Sequence, residues 1–134
     1  MASELSQQYL QIQIQDDLKY DIRIENADLD SGQFYREDDR SDILTSDDVD
    51  DMAIRHNGGI RTVCSMYGSQ GSIDLVDDVR DARICSLAWR ASMQPGEQNE
   101  FNKLHHDTRY MVEIGRWNES GTMGTIPVTI KEQY

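Results

Sequence analysis

Cysteine is scarce in this chain, and long apolar runs are absent. The 134 residues include two cysteines, Cys64 and Cys85, which are too few for a disulfide framework. Each lies in an apolar run, where a free thiol packs as a small hydrophobic side chain. No apolar run approaches a membrane span, and residues 1–8 lack the basic and apolar regions of a signal peptide. We therefore predict one domain, residues 1–134, that is cytoplasmic, with any secretion by an unconventional route.

Positive charge is the second shortage. The chain carries 13 Lys and Arg against 25 Asp and Glu, for a formal net charge of -12. Between Asp16 and Asp51, fourteen acids stand against four bases. Such a face repels polyanions, so nucleic acid and anionic membranes are poor partners, and a bound membrane should present neutral or zwitterionic head groups. The simpler interpretation of the acidic face is solubility.

Catalytic and metal-binding motifs are also missing. The sequence has no phosphate loop, no Gly-x-Ser-x-Gly and no His-Glu-x-x-His. Cys64 or Cys85 with His105 or His106 would offer a thiolate pair, but no local motif supports one. Adjacent histidines point to opposite faces of a strand, and the aspartates of residues 37–51 lack calcium-loop spacing. We predict that the protein is not an enzyme and binds no metal and no cofactor.

What the chain does contain is short runs of alternating polarity. In residues 9–15, Leu10, Ile12 and Ile14 face one way and polar side chains the other, and residues 19–26 repeat the pattern. The short connection between these two runs predicts antiparallel pairing. Further strands are predicted at residues 60–66, 73–77, 82–89, 101–104, 110–114 and 125–130. Eight or nine short strands without a helical period predict an all-β, single-domain antiparallel β-sandwich.

Several connections carry their own signals. Gly68 and Gly71 predict a tight polar loop between two strands. Ser31–Gly32 indicates a kink or bulge, and Thr45 fits the start of one capped helical turn. Pro127 predicts an edge position or the outer face of the last strand, since proline cannot donate to a ladder.

Aromatic side chains stand near the predicted strand ends and loops. They are Tyr9, Tyr35, Tyr67, Trp89 and Trp117. Tyrosine and tryptophan suit a membrane interface because one end of the ring is apolar and the other is polar. The alternative for each ring is ordinary partial burial in the core.

Four segments together resemble the aegerolysins, small acidic β-sandwich proteins. They are residues 71–77, the apolar run opened by Arg83, residues 110–114 and residues 120–128. The resemblance implies a protein that recognises sphingolipid-containing membranes, with either sphingomyelin and cholesterol or ceramide phosphoethanolamine as the lipid. It also implies a perforin-like partner that inserts into the bilayer to form a pore, while the aegerolysin stays at the surface.

The resemblance is weakest at the lipid-binding positions. Lipid-binding members carry a tryptophan near the start of the first strand, where this chain has Tyr9. They carry a second tryptophan just before the glycine that corresponds to Gly32, where this chain has Ser31. Tyr67 stands where an acidic residue is common. The family's Cys-Gly-Arg stretch appears here only as Cys64-Ser65-Met66, in a shortened loop. Residues 88–92 stand where the family has a loop rich in aromatic residues. The scaffold is kept while much of the lipid site is rewritten.

The first hypothesis is therefore a lipid-recognition protein that contributes to hemolysis without catalysis. Tyr9, Tyr67 and Trp89 are expected to stack against the head group and upper chain, and Arg90 to pair a lipid phosphate. The alternative is a soluble protein-interaction module on the same scaffold, with lipid binding lost or altered, as Ser31 suggests. An enzyme acting on a small substrate is a third hypothesis with no motif behind it.

Overall fold

The computed structural model describes residues 8–92, 94 and 96–133, so residues 1–7, Met93, Pro95 and Tyr134 lie outside the described part. The prediction made for residues 1–8 therefore falls largely outside it. The described elements are β1 (Tyr9–Asp16), β2 (Ile22–Arg36), β3 (Asp39–Leu44), α1 (Ser46–Asp50), β4 (Ala53–Ile54), β5 (Gly59–Asp77), β6 (Ala82–Arg90), β7 (Glu100–Leu104), β8 (Tyr110–Ile114) and β9 (Gly124–Glu132).

Two long strands form the central ribbon of the molecule. β2 and β5 pair antiparallel from Ile22 opposite Asp77 to Tyr35 opposite Cys64. Along its other edge, β5 pairs first with β1 over residues 59–66 and then with β6 over residues 70–77. The ribbon therefore belongs to two layers, β3-β2-β5-β1-β9-β8 and β4-β2-β5-β6-β7.

The two layers enclose one core. Phe34 from the first layer meets Trp89 from the second edge to face, with ring centroids 6.5 Å apart. At the other end, the Tyr110 hydroxyl donates a 2.7 Å hydrogen bond to Asp77 Oδ2, which joins β8 to the end of β5. In β1 the alternation holds as predicted, because Leu10, Ile12 and Ile14 are fully buried in this core.

The ribbon bends where its backbone enters the left-handed region. In β5 this happens at Tyr67 (φ 66°) and Gly68 (φ 66°), and in β2 at Asn26 (φ 54°) and Gly32 (φ 92°). Register shifts in β2 lie on both sides of Ser31, as expected for bulges. The predicted kink at Ser31–Gly32 is confirmed, but the predicted Gly68–Gly71 loop is wrong, because β5 runs through it as one bent strand.

The all-β prediction is confirmed, with two corrections to strand pairing. β1 does not form a hairpin with β2, because β5 lies between them as the partner of both. β1 also pairs with β9 in parallel, so the sheet is mixed rather than wholly antiparallel. Alternation predicts which face of a strand is buried but carries no information about its partner.

Smaller features follow the sequence closely. Thr45 caps α1 with a reciprocal capping box through Asp48, as predicted. Cys64 and Cys85 are both free and buried. Pro127 lies on the exposed face of β9, which is not an edge strand. β3 was missed, because its polar composition resembles the acidic connection around it.

Asp16 is a buried carboxyl group at the end of β1. Its Oδ1 accepts a 2.8 Å hydrogen bond from the Leu18 N–H, while Oδ2 has no partner among the described residues. Burial raises the pKa of Asp16 to about 7 against the opposing hydrogen bond from Leu18, and the nearby Asp21 carboxylate raises it further. The side chain therefore takes up a proton near neutral pH.

The raised pKa predicts a pH-dependent stability. The folded state binds this proton more tightly than the unfolded chain, so the free energy of unfolding should rise as pH falls from about 8 to about 5. The slope due to Asp16 is at most about 1.4 kcal/mol per pH unit. Urea denaturation across this range should show the slope in the wild type and in the exposed-site control Asp38→Asn. An Asp16→Asn variant with an unchanged slope would refute the assignment.

The bend at Gly32 makes a second prediction. A Cβ on Gly32 would lie 2.7 Å from the Met66 carbonyl oxygen and 2.8 Å from Ser69 Cα, and φ is 92°. Gly32→Ala should therefore lower the free energy of unfolding by about 3 kcal/mol or more. Gly121→Ala is the matched control, since its φ of 74° carries the same strain with nothing within 4 Å. We expect about 1 kcal/mol there, and equal losses in the two variants would contradict the close approach.

Candidate functional site

The bend in β5 is where the predicted site residues gather. Segments from three parts of the chain hydrogen bond to it. The bonds run from Tyr67 N to the Gln8 carbonyl oxygen (3.1 Å), from Ser31 Oγ to the Gly68 carbonyl oxygen (2.8 Å) and from Ala91 N to the Ser69 carbonyl oxygen (2.7 Å). The start of β1, the kink of β2 and the end of β6 therefore meet at one end of the sandwich.

Tyr9 and Tyr67 lie on neighbouring strands at this end. Tyr9 is half-buried, pairs with Met66 across the β1–β5 ladder and packs against a small cluster of Tyr35, Cys64 and Met66. Tyr67 follows Met66 directly and is 40% exposed. It combines a large apolar ring, exposure to solvent and a left-handed backbone, which few bulky residues adopt. Strain of this kind is retained where surrounding structure holds it, and it is common at binding sites.

Trp89 lies beneath the bend and not on its surface. The residue is only 3% exposed, so its ring cannot stack on a head group in this structure. Its indole Nε1–H donates to Ser69 Oγ (2.9 Å), which lies 2.6 Å from Ser65 Oγ, and the Ser65 hydroxyl donates to the Gln33 carbonyl oxygen (3.1 Å). The expected contact role of Trp89 is therefore corrected to a supporting one. The sequence signal, an aromatic near a strand end, did not distinguish the two faces of β6.

Arg90 lies on the outer face of the second layer. It pairs with Gln70 across the ladder, and its Nη2 is 3.4 Å from Glu100 Oε1. It lines a cavity of about 250 Å³ together with Asp28 and Asp30. The structure therefore places Arg90 near the bend but among carboxylates, which oppose the approach of a phosphate.

One cation at this end was missed from the sequence. Arg40 of β3 lies with its Cζ 4.8 Å from the ring centroid of Tyr9 and 5.7 Å from that of Tyr35. Both distances fit cation–π contacts. Arg40 stands in the segment interpreted as a solvated acidic connection, and only the tertiary pairing of β2, β5 and β1 brings it to the tyrosines.

The groups considered for catalysis are not assembled for it in the described structure. Burial raises the pKa of both Cys64 and Cys85 to about 12, which disfavours a thiolate. His106 Nε2 is 2.6 Å from the Tyr110 carbonyl oxygen. Within residues 8–92, 94 and 96–133, no three His, Cys, Asp or Glu side chains are grouped to hold a metal ion. The same residues form no helix long and apolar enough to cross a bilayer.

The fold and this end together define a small acidic β-sandwich protein with aromatic side chains gathered at a bent central ribbon. The chain belongs to the aegerolysin family, whose family model matches residues 7–133. The resemblance seen in the sequence is thereby confirmed over nearly the whole chain.

Two curated relatives agree with this assignment, and two solved structures share the fold. The chain is 34% identical to Terrelysin of Aspergillus terreus over 128 residues, which cover 92% of this chain and 87% of the relative. It is 29% identical to Asp-hemolysin of Aspergillus fumigatus, with 81% of each chain covered. The fold is similar to that of RahU protein, solved in complex with a TRIS molecule, with a TM-score of 0.87 and 20% identity over 96% of this chain and 98% of that one. It is also similar to that of IP-1A from Alcaligenes faecalis, with a TM-score of 0.84 and 20% identity over 98% of this chain and 95% of that one.

The supporting role of Trp89 can be tested by stability. Trp89→Phe keeps an aromatic ring but removes the N–H that Ser69 accepts, so the free energy of unfolding should fall by about 1 kcal/mol or more. Trp117→Phe is the matched control, since no hydrogen bond to the Trp117 indole is found in the described structure. Guanidinium denaturation measures both. Equal losses would show that the indole bond contributes nothing specific.

Proposed function

We propose that this protein is a non-catalytic, hemolysin-like protein that recognises membrane lipid through the end of the sandwich formed at the β5 bend. The observation that carries the proposal is Tyr67, an exposed ring held in a left-handed conformation by its neighbours. Membership of the aegerolysin family and the name of the relative Asp-hemolysin support the class of function.

Charge supports a particular class of lipid. A chain with a net charge of -12 is repelled by anionic membranes, so a zwitterionic head group suits it better. Sphingomyelin with cholesterol and ceramide phosphoethanolamine both meet this condition, and the family resemblance implies this sphingolipid class. Tyr9 and Tyr67 supply rings whose apolar body and polar hydroxyl suit the membrane interface.

Each proposed site residue has a distinct part. Tyr67 and Tyr9 contact the lipid, Trp89 holds the bend from below, and Arg90 lies at the rim, where its contact with a lipid phosphate stays a prediction. Lysis would require a perforin-like partner that inserts into the bilayer after this protein has bound.

Vesicle sedimentation tests the lipid proposal through Tyr67. Asparagine tolerates the left-handed region, so Tyr67→Asn removes the ring while keeping the backbone favourable. We expect pelleting with sphingolipid vesicles to fall several-fold, about 1 kcal/mol or more, with thermal unfolding little changed. Tyr20→Asn, which removes a half-buried tyrosine beside Arg80, is the control.

Two results would count against this account. Unchanged pelleting of Tyr67→Asn would place the lipid site elsewhere. No pelleting of the wild type with any sphingolipid would favour the alternative, a soluble protein-interaction module. One observation favours that alternative: the exposed Ser31 brings only a short hydroxyl to the site, and this hydroxyl is already bonded to the Gly68 carbonyl oxygen.

A further inference from the structure

Arg40 owes its position to an irregularity in the β2–β3 hairpin. Tyr35 pairs with Ile43 and Arg36 pairs with Asp39, so residues 40–42 of β3 have no opposite residues in β2. This bulge carries Arg40 across the outer face of the first layer, over the rings of Tyr9 and Tyr35. The side chain therefore reaches the aromatic end of the molecule although it starts in an acidic hairpin.

The guanidinium of Arg40 has no acid partner in the described part of the chain. Seven arginine and lysine side chains lie within 4 Å of a carboxylate oxygen: Arg23, Arg36, Arg80, Arg83, Arg90, Arg109 and Lys131. Arg40 is not among them, and no described acceptor receives a hydrogen bond from it. An unpaired arginine in so acidic a hairpin calls for a physical reason.

The neighbouring carboxylates are held by other groups. Asp39 Oδ1 accepts hydrogen bonds from the Ser41 N–H (3.0 Å) and the Ser41 hydroxyl (2.6 Å). Asp42 Oδ2 is 2.9 Å from Arg36 Nη2. The negative charge of Glu37 raises the pKa of the Cys64 thiol, but Glu37 forms no ion pair with Arg40. The hairpin thus leaves the donors of Arg40 free.

An arginine that lies over aromatic rings, with donors that have no described acceptor, is suited to binding an anion. A guanidinium over an aromatic ring is fixed in orientation while the N–H groups at its edge stay available. Those donors form a planar fork that matches two oxygens of a phosphate. Tyr9, one of the two rings under Arg40, is also a proposed lipid contact, so a phosphate bound here would lie beside the membrane-facing side chains.

We propose that Arg40, lying over the rings of Tyr9 and Tyr35, is the phosphate-binding group of this protein. The inference rests on the proposed lipid recognition and deepens it, because it assigns the phosphate of the head group to the β3 side of the site. Arg90 is the rival, but its Nη2 is already 3.4 Å from Glu100 and its cavity is lined by Asp28 and Asp30. At Arg40 a phosphate would meet several N–H groups without a described acceptor. At Arg90 it would meet one such donor, the buried Nε, beside carboxylates.

Vesicle binding by matched arginine variants tests the assignment. Arg40→Gln, Arg90→Gln and Arg55→Gln each remove one positive charge, and Arg55 lies by the turn before β5, away from the bend. Sphingomyelin–cholesterol and ceramide phosphoethanolamine vesicles carry phosphate, whereas glucosylceramide vesicles carry a sphingolipid without it. We expect Arg40→Gln to bind the phosphate-bearing vesicles roughly tenfold or more weakly than the wild type. Arg55→Gln should bind like the wild type, Arg90→Gln should lose less affinity than Arg40→Gln, and Arg40→Gln should not alter binding to glucosylceramide.

A loss in Arg90→Gln with none in Arg40→Gln would overturn the proposal, as would an equal loss for all three variants, which would indicate net charge alone. Arg40→Lys separates charge from geometry, since lysine keeps the charge but lacks the fork, and it should recover only part of the affinity. Thermal unfolding of each variant confirms that the fold is intact.

A second measurement does not depend on vesicles. The arginine Nε–Hε resonances of the isotope-labelled protein are followed while inorganic phosphate or phosphorylcholine is added. We expect the Arg40 resonance to shift and that of Arg55 to stay. If the wild type pellets with no vesicle but Arg40 responds to inorganic phosphate, lipid recognition fails and the site takes free phosphate. An Arg40 resonance that ignores both compounds would overturn the phosphate assignment itself.

Discussion

The structure depends on the close approach of two backbones at one point, where Gly32 of β2 crosses the Met66–Ser69 segment of β5. A Cβ on Gly32 would fall 2.7 Å from a carbonyl oxygen, so the ribbon bends this sharply only without a side chain there. Because both strands bend together, one continuous pair of strands contributes to both layers. This is how nine short or bent strands enclose a single core in the described chain.

The same bend decides which aromatic side chains are exposed. Trp89 sits inside it, with its N–H satisfied through Ser69 and Ser65, and this buried bond connects β6 to β5 and β2. Tyr67 sits on the outside, held in a backbone conformation that a bulky residue rarely adopts alone. A buried polar network that is fully bonded stabilises one arrangement over others, so this network fixes the bend that leaves Tyr67 exposed.

The two ends of the molecule also differ in how their charged side chains are paired. Arg80 is paired with Glu132 near the far end of β5, where Tyr110 and Asp77 close the layers. Near the bend, in the β2–β3 hairpin, the Asp39 carboxylate accepts a hydrogen bond from the Ser41 hydroxyl, and the Asp42 carboxylate forms an ion pair with Arg36. A strongly acidic protein thereby keeps one arginine, Arg40, over its tyrosines at this end, where a bound zwitterionic head group would meet both an aromatic and a cationic contact. The net charge alone would have suggested a surface that binds no phosphate.

The sequence by itself determined the strand faces, the all-β class, the buried free cysteines, the capped turn at Thr45 and the family. Each of these follows from local pattern: period-two alternation, cap chemistry or a run of motif residues. Tertiary structure alone decided that β1 pairs with β5 and, in parallel, with β9, that residues 68–71 continue a strand, that Trp89 is buried and that Arg40 stacks on Tyr9. The reason is that alternation specifies a face but not a partner, while these features arise from pairings between segments distant in the chain.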